Sequence, residues 1–291
     1  MTEPVSDEDL KVLKTIEDKI FSSINLGVDL SEFDILDDVN TSKSAIQELG
    51  VKIAVNNTEL SVTILEIAHS IYFGHSLQGG TPDFFDAVIR LGSDRIKLLV
   101  FSLSLFSLSK GLEARRRVAK SASIGILGKI IAEQMNLKED CIRKIETGGL
   151  LSQLGKNILI NARELGVNLR DDFIEQHEMT LAVNIIDRLK LDAFLKKAID
   201  MSVADFDEES FSLVGVIKLA EALTEDSFRK YGKLVLKSPM PDTNKVLVRT
   251  PGSDIRKLFE ALGVDDFLVI EEVPTQQQKN AAAKQAKPRK K

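Results

Sequence analysis

Cysteine is nearly missing from this 291-residue chain: Cys141 stands alone, so no disulfide can form within it. That suits a reducing compartment. Cys141 has no local signature of a nucleophile and reads as an inert, partly buried thiol. Tryptophan is missing and histidine appears three times, at His69, His75 and His177. A transition-metal site usually draws on several converging His, Cys or carboxylate ligands. No HxxxH or HExxH pair supplies them here. Long apolar runs are missing too. The greasiest stretch, Ile96 to Leu108, spans 13 residues and contains three serines. It is too short to cross a bilayer and fits a buried helix. The opening "MTEPVSDEDL" is acidic, unlike the start of a secretory signal. A cytoplasmic protein without a membrane span is expected.

Charge is unevenly spread. The formal net charge is −5, yet six of the 39 basic residues and none of the 44 acidic ones lie in the final 16 positions. The remainder therefore carries −11, which argues against a specific nucleic-acid-binding domain with its basic face. Residues 273–291 read as a disordered basic tail, since such a composition cannot bury a core.

What is present is helical periodicity. Leu60, Ile64, Ile67, Ala68 and Ile71 form one stripe. Ile124, Leu127, Ile130 or Ile131, and Met135 form another. Leu181, Ile185 or Ile186, and Leu189 form a third; Leu213, Ile217, Ala220 and Leu223 form a fourth. Ser6 reads as a helix cap. Thr81 reads as a cap ahead of Pro82 and Asp83, with Gly92 as the stop. Ser253 and Gly263 repeat the arrangement. Strand signals are confined to Leu234–Leu236 and Val246–Val248, which fit a small hairpin. The expected partition is a helical unit over 6–110, a second over 111–228 entered through the basic connector "KGLEARRRVAK", and a small appendage over 229–272. The two helical units share one core, because no long linker separates them.

Local chemistry is sparse. His69 flanks an apolar stripe and reads as structural. His75 sits in a polar loop, and His177 reads as part of a solvent-facing helix start. Gly79-Gly80 and Gly148-Gly149 lack the Lys-Ser/Thr of a phosphate loop, and no GxSxG elbow occurs. The run Arg115–Arg117 reads as a solvated helix end; a contact with phosphate or an acidic partner is its alternative.

Two blocks carry a family likeness. "LSVTILEIAHSIYFG" (60–74) and "FFDAVIRLGSDRIKLLVFS" (84–102) together resemble the HDOD domain, a bacterial signalling module related to HD phosphohydrolases. His69 stands where the family usually has Asn, while Ser70 and Tyr72 remain. Ala87, Ile89, Leu91, Gly92, Arg95 and Leu99 fit the second block. The likeness extends more weakly through 118–160 and 215–223. It implies an all-α, multi-helix HD-like bundle of two helical subdomains sharing a core, with room for the small hairpin near the C-terminus.

The resemblance also fixes what to ask of "GGLLSQLGKNILINA" (148–162). In active HD hydrolases this helix carries adjacent His and Asp ligands, usually followed by Gly-Lys. Here the pair is Ser152-Gln153, ahead of Gly155-Lys156. An earlier histidine ligand would fall near Lys120 and a late aspartate near Glu221. Ser and Gln are poor ligands for a divalent cation, and an ammonium repels one. No catalytic residue, metal or cofactor is therefore expected. Lys120, Ser152, Gln153, Lys156 and Glu221 would line a degenerate cleft. Leu150, Leu151, Leu154 and Ile158 would face the core. The implied function is non-catalytic regulation in bacterial signalling through protein partners, with a nucleotide or phosphate held by Lys120 and Lys156 as a further expectation. The alternative is a divergent metal-dependent phosphohydrolase acting on a nucleotide or cyclic dinucleotide, built from Glu221, His177, Glu178 and Asp200.

Overall fold

The computed structural model describes residues 6–38, 40–69, 83–108, 111–199, 208–239 and 251–273. The described residues form an all-α protein with one small sheet. The first half holds α1 (Asp7–Ser23), α2 (Lys43–Asn56), α3 (Thr58–His69), α4 (Phe84–Leu91) and α5 (Ser93–Leu108). The centre holds α6 (Leu112–Gln134), α7 (Glu139–Leu151), α8 (Leu154–Glu164), α9 (Asp171–Arg188) and α10 (Ala193–Ile199). Then come α11 (Glu208–Tyr231), β1 (Leu234–Pro239), α12 (Pro251–Ala261) and β2 (Leu268–Val273).

Helix boundaries follow local chemistry. Ser6 caps α1 by accepting the Asp9 N–H at 3.1 Å. α4 is capped two residues later than its sequence suggests. Asp83 accepts the Asp86 N–H at 2.8 Å, and the Asp86 carboxylate reaches back to the Asp83 N–H. This reciprocal pair satisfies two otherwise orphaned donors; Thr81 and Pro82 lie outside the described residues. Gly92 ends α4 at φ +83°, where a side chain would be strained. α12 already includes Ser253, so that residue is not its cap.

One buried apolar cluster runs from Leu13 to Phe267 and includes residues of both expected helical units. The apolar run of α5 is buried as expected, with Ile96, Leu98, Val100, Phe101 and Leu105 inside. Its two cations are buried as well. Arg95 pairs with Glu146 of α7, and Lys97 reaches Asp37 at 2.6 Å. The stripes of α3 and α9 are buried throughout their described residues, and those of α6 and α11 fail at their C-terminal ends. Ile124 is buried but Met135, at the end of α6, is 54% exposed. Leu213, Ile217 and Ala220 are buried, whereas Leu223 faces outward and Thr224 turns inward. Ile71 is outside the described residues.

The "connector" is no linker: Leu112 to Lys120 forms the first turns of α6. α6 packs on α7 and α11 at the centre of the bundle. Glycine allows this closeness. A Cβ on Gly149 would stand 2.7 Å from the Gly125 backbone nitrogen, and one on Gly148 would stand 2.6 Å from Ile217 Cδ1. The Gly148-Gly149 pair is therefore a helix-packing seam.

Among the described residues, the pairing of β1 is parallel. β1 forms where Leu234–Leu236 predicts it, but its partner is β2, registered Leu234 to Leu268 through Pro239 to Val273. Parallel strands need a crossover, and the connection contains α12. Val246–Val248 lies outside the described residues.

Candidate functional site

"GGLLSQLGKNILINA" proves to be two helices rather than one. α7 ends at Leu151 and α8 begins at Leu154, so Ser152 and Gln153 form the junction. Leu151, Leu154 and Ile158 are buried and Leu150 is half-buried. The Ser152 hydroxyl donates to the Gly149 carbonyl at 2.8 Å, which closes the last turn of α7. Gln153 occupies the cap position of α8 without a side-chain capping bond. Gly155 packs α8 onto α9: a Cβ there would lie 1.7 Å from the Glu178 carbonyl oxygen.

The charged candidates come in compensated pairs. Lys120 Nζ on α6 lies 2.7 Å from each carboxylate oxygen of Glu225 on α11. It also sits 5.8 Å above the Phe228 ring. Lys156 Nζ on α8 lies 3.6 Å from Glu178 Oε2 on α9. Glu221 Oε2 accepts from Lys218 Nζ at 3.0 Å. Glu221 and Glu225 are one turn apart, so they share a face of α11. Three ammonium groups thus meet three carboxylates.

Glu178 is the perturbed member. Burial pushes its carboxyl above the ordinary range; the Lys156 ammonium opposes this, and the negative fields of Glu175 and Glu221 add to it. Glu178 therefore feels the charges of both Lys156 and Glu221.

The residues do not fit the metal that an HD hydrolase would hold. Lys120, expected near the first histidine ligand, is an ammonium already bound to a carboxylate, and the Ser152 hydroxyl donates to the Gly149 carbonyl. Among the described residues, no group of three or more His, Cys, Asp or Glu side chains is placed to hold a metal ion.

His177 corrects its sequence reading. It lies within α9 and is 6% exposed, with its ring 4.3 Å from that of Phe173 and Nε2 3.7 Å from Asp9 Oδ2. The run Arg115–Arg117 is not a solvated end either. Arg115 donates to the Gly263 carbonyl at 3.0 and 2.9 Å and to Asp266 at 2.7 Å, while Arg117 is buried. Sequence reasoning missed Glu146, Glu225 and Asp37 as partners of inward-facing cations. Arg95, bordering the most apolar run, and Lys97, inside it, were the available signal. Asp200, His75 and Tyr72 lie outside the described residues, as does the basic tail from 274 onward.

The described helices include none long and apolar enough to cross a membrane. No curated protein matches the chain. An HDOD domain protein of unknown function from Geobacter sulfurreducens is similar in structure, with 16% identity, 86% of this chain and 90% of that chain covered, and a TM-score of 0.44. A provisionally named metal-dependent phosphohydrolase from Shewanella amazonensis shows 11% identity, 89% and 99% coverage, and a TM-score of 0.48. Likeness at these levels transfers no activity. The family model for the HDOD domain matches residues 32–189, more than half of the chain. That match spans both sequence blocks and the Ser152–Gln153 junction, and the chain belongs to the HDOD domain family.

Proposed function

We propose that this chain is a non-catalytic regulatory protein of bacterial signal transduction, working in the cytoplasm by binding partner proteins. The observation that supports it is the Lys120–Glu225 pair. A bound ammonium at the place of a histidine ligand leaves no lone pair for a metal. Without the metal, neither charge neutralisation nor a low-pKa water is supplied. A partner surface is offered nearby on α11, where Leu219 and Leu223 are 50% and 46% exposed at i, i+4 spacing. The test is affinity purification from the native cell of the wild-type chain against Leu219→Ser/Leu223→Ser. Partners that are lost in the variant support the reading; an identical set from both removes this surface from it.

A divergent phosphohydrolase is the second reading, favoured by one observation. A half-buried carboxyl with a raised pKa, such as Glu178, suits a general acid. It requires nucleotide turnover with a divalent metal that Glu221→Ala abolishes. No turnover across a nucleotide panel counts against it. An anion held by Lys120 and Lys156 has less support, because each ammonium already faces a carboxylate.

A further inference from the structure

One face of α11 turns away from the bundle. Ile217 and Thr224 are buried, whereas Gly215, Leu219, Ala222 and Leu223 are exposed and Asp226 is half-buried. Gly215, Leu219, Ala222 and Asp226 recur at alternating spacings of four and three, the pattern of a two-helix seam. Leu219 and Leu223 stand open on it, and a Cβ built on Gly215 meets nothing within 4 Å.

This seam complements itself when two copies run antiparallel. A two-fold axis crossing α11 midway between Leu219 and Ala222 sets each Leu219 against Ala222 of the second copy, a large side chain on a small one. Gly215 then faces Asp226 of the second copy. Lys218 and Glu225 flank the seam on one shoulder, two turns apart. The same alignment brings Lys218 of each copy beside Glu225 of the other, and such flanking charges set partner and orientation. Both side chains reach solvent, 42% and 51% exposed. Each has a partner in its own chain, Glu221 for Lys218 and Lys120 for Glu225. An ammonium has three donors and a carboxylate about four acceptor sites, so each keeps capacity for a second partner. Antiparallel helices also oppose their macrodipoles.

We propose that two copies of this chain associate by packing α11 on α11, antiparallel about that axis, with Lys218 of each copy paired to Glu225 of the other. This dimer rests on the reading of Leu219 and Leu223 as a partner surface, and makes a second copy the partner. A single helix pair is a small interface, of the size of transient complexes, so the dimer dissociates on dilution. Added salt weakens it, because the flanking pairs are exposed and screened.

The test is sedimentation equilibrium of the full chain from about 1 μM to about 1 mM, the span of weak to moderate dissociation constants. The wild type is expected to pass from monomer to dimer within it. Lys218→Glu and Glu225→Lys should each weaken association about tenfold, because two attractive pairs become two repulsive ones. An equimolar mixture of these two variants should regain wild-type association, since opposite charges then face each other again. Leu219→Arg, a change at an exposed position, should stay monomeric, and it decides the matter if Glu225→Lys fails to fold beside Lys120. A wild type that is monomeric throughout overturns the proposal. So does a mixture no more associated than its components, or a dimer untouched by Leu219→Arg. A monomeric wild type whose Leu219→Ser/Leu223→Ser variant still loses cellular partners overturns the second copy and leaves the partner surface standing.

Discussion

Arg95 of α5 places its guanidinium against the Glu146 carboxylate of α7, and both side chains are almost wholly buried. Arg95 Nε also donates to Thr147 Oγ1 at 3.0 Å, and Nη2 donates to the Arg143 carbonyl at 3.2 Å. Burial pushes the Glu146 carboxyl upward, and the guanidinium pulls against it. Removing one partner leaves an uncompensated buried charge, whereas removing both does not. Glu146→Gln should therefore cost about 3–5 kcal/mol. Arg95→Met/Glu146→Leu should fall within about 1 kcal/mol of the wild type, or above it. Urea unfolding of the three proteins separates these outcomes.

Two glycine-to-alanine changes should have opposite signs. At Gly155 the new Cβ would meet the Glu178 carbonyl oxygen at 1.7 Å and the Ala182 Cβ at 3.2 Å. Backbone cannot swing aside, so α8 and α9 must separate at a cost of roughly 1–3 kcal/mol or more. Gly215, exposed on α11, has nothing within 4 Å of its added Cβ. Gly215→Ala should stabilise by roughly 0.5–1 kcal/mol through helix propensity alone. Thermal unfolding of both variants checks the pair.

This contrast shows where sequence reading succeeds and fails. Periodicity located the interiors of α3, α9 and α11, because a 3.6-residue repeat records which face meets the core. It failed at Met135 and Leu223, where a helix end and a helix shoulder leave the bundle. The family pattern singles out Ser152 and Gln153 as the positions where ligands would be expected. The break between α7 and α8 was not readable, since apolar residues continue on both sides. The partners Glu225 and Glu178 were unreadable for another reason. Lys120 and Glu225 are 105 positions apart, and only the packing of α6 on α11 joins them.

Asp83 and Glu178 should give opposite pH dependences. The Asp86 backbone N–H, aided by Gln47 and Lys43, holds the Asp83 carboxyl below its ordinary value. A lowered folded pKa contributes stability above the unfolded value, near 4, which is lost as pH falls through the folded one. Asp83→Ala should thus cost about 1 kcal/mol at neutral pH, typical of a lost cap, and progressively less in acid. Glu178 has a raised folded pKa, so the wild type loses stability as pH rises from its unfolded value through its folded one. Glu178→Gln should match the wild type in acid and exceed it at neutral pH. Denaturation series at stepped pH read both slopes.

The most direct measurement is the metal content of the full chain after loading with manganese, iron or zinc and dialysis against metal-free buffer. With Lys120 bound to Glu225 and Ser152 bound to Gly149, far less than one ion per chain should remain. About one ion per chain, retained by the wild type and lost in Glu221→Ala, would contradict the account.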